Sequence, residues 1–484
     1  MGECVRAGIR PGRTALKNRI EIEHAQFSGH PSGSRSGSTH YKGGLLLNRE
    51  RTGRSQVTST KTRGSWVGRL MGVVVIGGLM STGAYGGHLN LSGGLAGTSP
   101  DCHGVFLGKP VPQETLNQVL AAHVRWLDDH QDPKGVRADF CGADLAGVDF
   151  REEDLSGANF QEANLTGAVF TGSKVVHVNF HKANLTEASF SSVDMRGANV
   201  SGANARLADF RKADLTQANF TGADLREANL AESRFRLAIL RGADLEEAYL
   251  VRADFEMANL AEASLIRADG REANFQRTLL VNATLIEADL NRSDLQEADL
   301  RSADLSGADL GLANLNEAVL TNANLREANL DRAVLFQANL EGANCAGASF
   351  QNADALEANL TNSNLLRATL DEAYLAKANL QGANLEGADV SWANLVEADL
   401  SQSNLEFAVM FRTNLQEAKL DQAKLYGADL RGANVEHASF RGTRLQGVAI
   451  RYAHGFTQEQ LNQACVDART RLPEGLVGPS PCPR

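Results

Sequence analysis

The sequence predicts an all-β solenoid, a stack of short coils, for about two thirds of its 484 residues. Three observations predict it. A five-residue phrase repeats in one unbroken frame over residues 138–452, giving 63 consecutive pentapeptides. Within each phrase a small residue, nearly always Ala, stands two places before a large apolar one, mostly Leu or Phe. The residue between those two is usually Asp or Asn, and the remaining two are polar or charged.

A period of five fits neither an α-helix, at 3.6, nor an alternating strand, at 2. Residues two apart point the same way when the one between them is extended. In the stretch RSADLSGADL (301–310), Ala303 and Leu305 therefore share a face, as do Ala308 and Leu310. The other residues turn the chain and meet water. One coil cannot bury its own apolar face, whereas stacked coils can. Asp and Asn suit the middle place because their short side chains hydrogen-bond a turning backbone.

In this pattern the chain resembles the pentapeptide-repeat family, whose motif reads A-(D/N)-L-X-X. The resemblance implies a right-handed quadrilateral β-helix with the large residue and the Ala pointing inward. Four pentapeptides then form a 20-residue coil, and the 315 repeat residues form about 16 coils. At roughly 4.8 Å per coil the rod is about 75 Å long.

The irregular central residues test the idea of a filled interior. Ala205, Gly270, Cys345 and Ala355 are undersized, and Phe210, Phe275 and Phe350 occupy neighbouring central places. A close-packed core keeps its volume, so a Phe is expected to fill the gap beside it. Phe235, Phe255 and Phe275 lie 20 residues apart and are expected to stack.

The flanks differ from the repeat. Residues 1–84 hold 13 Lys or Arg against 4 Asp or Glu, while the repeat region holds 28 against 46. An acidic solenoid is a poor sequence-independent binder of nucleic-acid backbones. Residues 1–56 are basic, rich in Gly and Ser and without apolar period, and are expected to be disordered or an over-extended gene start. Residues 57–84 combine Lys61, Arg63 and Arg69 with an apolar run, Leu70 to Met80, too short for a typical spanning helix. Thr82 and Ala84 have the spacing of a cleavage site, so 57–84 reads as a signal peptide and the mature protein as exported to the periplasm or outside. A linker is expected at 85–111.

Helices are expected at both ends of the repeat. Residues 112–130 place Leu116, Val119, Leu120, Val124 and Leu127 on one stripe, opened by Pro112. This helix, within a cap at 112–133, covers the first coil, whose bare edge would otherwise attract other chains. A second helix is expected at 457–468, with Thr457 and Gln460 forming a capping box, inside a C-terminal cap and tail at 453–484. Cys465 and Cys482 are expected to bridge helix and tail, Cys102 and Cys141 to bridge the N-terminal cap to the first coil, and Cys345 to be buried and unpaired.

Nothing in the sequence points to catalysis, a cofactor or a metal. His177 and His181 flank one corner but lack a third ligand, and they read as a solvated surface. Ser and Asp are repeat grammar, and no phosphate loop interrupts the frame. Two non-enzymatic readings remain. One is an exported scaffold that meets a protein partner or a second copy of itself. The other is a cytosolic DNA mimic that binds a topoisomerase such as gyrase, as the resemblance implies for the family's quinolone-resistance members. An acidic belt of Asp269, Asp289, Asp294, Asp299, Asp304 and Asp309 favours the mimic. Arg292 and Arg301 interrupt that belt and the leader points outward, which favours the scaffold; its candidate interface is Trp392, Phe407, Phe411 and Tyr426, four large aromatics in outward places, expected to form one exposed patch.

Overall fold

The computed structural model describes Cys102 and residues 105–478, all within one compact unit, Leu91–Arg484. The expected disordered start, signal peptide and tail cysteine, Cys482, lie outside the described residues.

Each side of a coil is too short for a strand. It contributes one bridge residue, the Asp or Asn place, which pairs in parallel with the residue 20 positions later. Asp139 bridges Asn159, Asp304 bridges Asn324, and the ladder continues unbroken to Asn434 and His454. An offset of 20 means four pentapeptides per coil and hence four sides.

Every backbone donor of the phrase has a partner, which explains the motif. In the phrase around Leu305, its N–H donates to the Asn324 carbonyl at 2.7 Å. The Gly307 N–H reaches the Arg326 carbonyl at 2.9 Å, and the Asp304 N–H reaches back to the Ala283 carbonyl at 2.9 Å. The Ala308 N–H closes the turn on the Leu305 carbonyl at 3.0 Å. The fifth donor, the Ser306 N–H, has no backbone acceptor and goes to the Asp304 carboxylate at 3.0 Å. Asp and Asn are thus favoured at this place, because their side chains give the turn's remaining N–H an acceptor. Where the place holds Val334, Ser349 or Ser439, the donor two residues on is served from the preceding coil instead, by Asn316, Asp331 and Asp421.

The second turn residue has positive φ in every copy from Gly142 to Gly447. Gly is the easy choice there, as at Gly307 (φ 67°), yet most copies carry a side chain, Glu327 at 58° among them. The ladder over-determines that strained geometry.

The inward residues form one continuous core, with the Leu, Phe and Ala places fully buried. Each inward Leu or Phe contributes about 1.5–3 kcal/mol. Phe235, Phe255 and Phe275 stack as expected, with ring centres 4.9 and 5.1 Å apart. At Gly270 an added Cβ would meet Leu290 Cδ2 at 2.9 Å and the Phe275 ring at 3.7 Å, so those neighbours already fill the missing volume.

The flanking helices differ in detail from the expectation. Helix α1, Gln113–Asp128, buries Leu116 and His123, while Val124 is exposed. The helix is rotated because His123 has a task. Its Nδ1 accepts the Ala138 N–H at 3.1 Å, a donor at the start of the repeat that has no preceding pentapeptide to serve it. The expected linker also takes part at its end, since Leu107 bridges Ala143 and Pro110 bridges Asp144. Helix α2, Gln458–Gln463, has the expected capping box but stops early. Cys465 leaves it to bridge Arg444, so the chain returns to the ladder rather than continuing as a helix.

Candidate interaction surface

The outward aromatics occupy two corners of the coil. Trp392 and Phe411 meet edge to face, with centres 5.9 Å apart, and Phe407 and Tyr426 do the same at 5.4 Å. Trp392 is 51% exposed and Phe407 54%, while Phe411 and Tyr426 are half-buried beneath them. Phe407 and Phe411 lie on consecutive corners, flanking the side that carries exposed Val409, rather than on either side of one corner. The expected single patch is therefore two ring pairs, and no ring contact among the described residues joins them.

Each pair is topped by a guanidinium. Arg412 stands 4.7 Å above the Trp392 ring and 5.3 Å from Phe411. Arg469 stands 5.4 Å from Tyr426 and donates to its hydroxyl at 3.2 Å. The two arginines differ in charge balance. Arg469 is paired with Asp467 at 2.8 Å, whereas no carboxylate among the described residues pairs with Arg412. The C-terminal segment thus anchors Tyr426 and leaves the Trp392 corner open.

The acidic belt is dispersed. Asp269, Asp289 and Asp309 stack on one side, but Asp294, Asp299 and Asp304 each fall on a different one of the other three. All six cap turn amides. Arg271 sits between two of them, 2.6 Å from Asp269 and 3.5 Å from Asp289, and its hydrogen bond holds the Asp269 carboxyl below the ordinary value. Arg301 pairs with Asp299 at 2.6 Å. The six Asp places do not share one face, because the period of four sides distributes successive places around the coil.

The cysteines are placed as follows. Cys102 and Cys141 form a disulfide, with Cα atoms 5.7 Å apart. Cys141 lies in an outward place yet is buried, because the bridged segment covers it. Cys345 is buried and free, and burial pushes its thiol up to about 12. Cys465 is disulfide-bonded. His177 and His181 lie on consecutive corners rather than flanking one, and His181 Nδ1 pairs with Ser201 Oγ at 2.8 Å. His123 escaped the sequence reading, which looked for apolar residues on the helix; its spacing of 7 residues from Leu116, 3 from Leu120 and 4 from Leu127 was the available signal.

Models of a pentapeptide repeat region and of pentapeptide repeats match residues 143–220 and, in overlapping segments, 208–447. The chain belongs to the pentapeptide-repeat family. The family fold is a right-handed β-helix, which agrees with the 20-residue parallel ladder. None of the curated proteins matches this pentapeptide-repeat chain. Among solved structures it is similar to HetL, a pentapeptide repeat protein involved in heterocyst differentiation regulation in the cyanobacterium Nostoc sp. strain PCC 7120. That match has 29% identity over 55% of this chain and 90% of HetL, with a TM-score of 0.22. QnrB1, a plasmid-mediated fluoroquinolone resistance protein, matches at 17% identity over 40% of this chain and 90% of its own, with a TM-score of 0.23. A pentapeptide repeat protein from the Arabidopsis thaliana thylakoid lumen matches at 27% identity over 23% and 78%, with a TM-score of 0.14.

Proposed function

We propose that this pentapeptide-repeat protein is a non-catalytic, exported scaffold that binds a protein through its C-terminal aromatic corners. One observation carries the reading. Trp392 and Phe407 are exposed at φ 58° and 59°, where a bulky side chain is disfavoured and Gly, Asn or a flexible polar residue would serve the turn. Large rings kept in strained, solvent-facing places fit an interface hot spot better than a fold requirement. The unbroken pentapeptide frame leaves no irregular loop or deep concavity for catalysis.

Export is supported by the Cys102–Cys141 disulfide, a bond that persists in oxidising compartments. The same reading pairs Cys465 with Cys482 in the tail, and takes α1 and α2 as end covers of about 16 coils. Among the described residues no helix is long and apolar enough to cross a membrane. The alternative is an acidic mimic of DNA that docks on a topoisomerase; the six Asp residues that favour it divide among four sides.

The test is capture of partners by the full chain and by a Trp392→Ala, Phe411→Ala double variant, with circular dichroism confirming the fold. Loss of a specific partner in the variant is expected. Equal recovery by both proteins removes the aromatic corner as the site, and inhibition of purified gyrase by sub-micromolar protein would favour the alternative.

A further inference from the structure

The Trp392 corner carries three unlike side chains in succession, one coil apart: Glu372, Trp392 and Arg412. All three occupy the second turn position, at φ 58°, 58° and 57°. The bridges from Tyr374 to Asn394 and from Asn394 to Asn414 fix their register, so they stand in line roughly 4.8 Å apart. All three are exposed.

Elsewhere on this corner, charges one coil apart neutralise each other within the chain. Lys212 pairs with Glu232 at 3.7 Å and Arg252 with Glu272 at 2.7 Å. That alternation ends at Leu312, and at the C-terminal end of the corner Trp392 stands between the two charges. Glu372 and Arg412 are held two coils apart with the indole between them, and neither has an ion-pair partner among the described residues. The Arg412 guanidinium is nevertheless positioned, resting on the Trp392 and Phe411 rings, with no hydrogen-bond acceptor among the described residues. Asp371, beside Glu372, accepts from Gln351 Nε2 at 3.2 Å and adds to the negative end.

An order of anion, aromatic, cation along a straight ridge is its own complement when turned end for end. We propose that a second copy of this chain docks antiparallel along this corner, with Trp392 at the two-fold axis and Arg412 of each copy paired to Glu372 of the other. A two-fold contact of this kind uses the same surface twice and closes on itself. Charge distribution selects the antiparallel arrangement. Residues 303–398 hold 13 acidic against 4 basic side chains, whereas 399–452 hold 6 against 7. Antiparallel overlap sets the acidic stretch of each copy against the balanced C-terminal stretch of the other, while parallel overlap sets acid on acid. The proposal rests on the aromatic corner being an interaction surface, and makes its occupant a second copy.

Sedimentation equilibrium of the full chain tests it, using charge reversal and its exchange. The wild type is expected to be a dimer in reversible equilibrium. Arg412→Glu and Glu372→Arg should each weaken the dimer roughly tenfold or more, and Trp392→Ala should also weaken it. The double variant R412E/E372R recreates both cross-pairs and should return the dissociation constant to near the wild-type value. Unchanged melting temperatures keep these effects separate from misfolding. A wild type that stays monomeric at its solubility limit, single reversals without effect, or a double reversal that fails to restore association overturns the proposal. A monomer that still captures another protein through Trp392 overturns the dimer and leaves the scaffold reading standing. A monomer that captures nothing through Trp392 removes both.

Discussion

The buried imidazole of His123 accepts the backbone N–H of Ala138, tying helix α1 to the start of the repeat. An Nδ1 that accepts is unprotonated, so the neutral ring carries its proton on Nε2. Burial lowers the His123 pKa from 6.5; Asp154 opposes that shift and Arg137 adds to it. The unfolded chain therefore binds a proton that the folded chain refuses, and stability falls as pH drops below about 6.5. His123→Leu keeps the bulk but leaves the Ala138 N–H without an acceptor, a cost of about 1–3 kcal/mol. Hydrogen exchange at Ala138 should quicken in the variant, and the slope of stability against pH between 5 and 7 should flatten. Persistence of the wild-type slope would assign it to another group.

Gly270 offers a test of core volume. It stands where the repeat ordinarily has Leu, so a consensus argument makes Gly270→Leu stabilising. The structure predicts the reverse, since Leu290 and Phe275 already reach into the space. Overpacking should cost about 1–3 kcal/mol. Gly270→Leu combined with Phe275→Leu should recover most of that loss, as read by thermal unfolding. A stable single variant would show that the core is loose at this coil.

The repeat was legible in the sequence because its period is strict and each place has one physical role. Leu305 and Ala303 announce the core, and Asp304 announces the turn. What surrounds the repeat was less legible. The sequence placed Val124 on the buried face of α1 because it is apolar, whereas the unserved Ala138 donor selected His123. It read six Asp places as a belt because they are regular along the chain, whereas four-sidedness sends Asp294, Asp299 and Asp304 to three different faces. It grouped four aromatics by number, whereas Phe407 and Phe411 belong to separate corners. Periodicity reveals which residues point outward, and the coil decides which of them meet.

Arg271 tests how stacked carboxylates are tolerated. Asp269 and Asp289 are bridge partners on one side, and the Arg271 guanidinium lies against both. Because Arg271 holds the Asp269 pKa below 3.8, the contribution is complete above that value and is lost as pH falls below it. The pair is partly exposed, so Arg271→Ala should cost no more than about 1 kcal/mol, and less in high salt. Adding Asp289→Asn should restore stability. An amide there can donate to Asp269, as Asn274 donates to Asp254 at 2.8 Å. Melting curves of the wild type, the single and the double variant at low and high salt would check the order, and a double variant no better than the single one would refute the mechanism.

The cysteines should separate into reactive classes. Cys345 is a central core residue whose thiol is pushed up to about 12 by burial, so it is neither ionised nor accessible at neutral pH. Native alkylation should leave it untouched, and unfolding should expose it. The Cys102–Cys141 bridge closes a separation of 39 residues around helix α1. On the chain-entropy model such a closure contributes about 4 kcal/mol. Each coil contacts only its neighbours, so that contribution should act on the N-terminal end rather than on the whole ladder. Cys102→Ser with Cys141→Ser should therefore speed hydrogen exchange in α1 and the first coils, while the amides around Leu305 remain as protected as before. Uniform loss of protection along the chain would mean that the solenoid unfolds as one cooperative block, and that the bridge stabilises all of it.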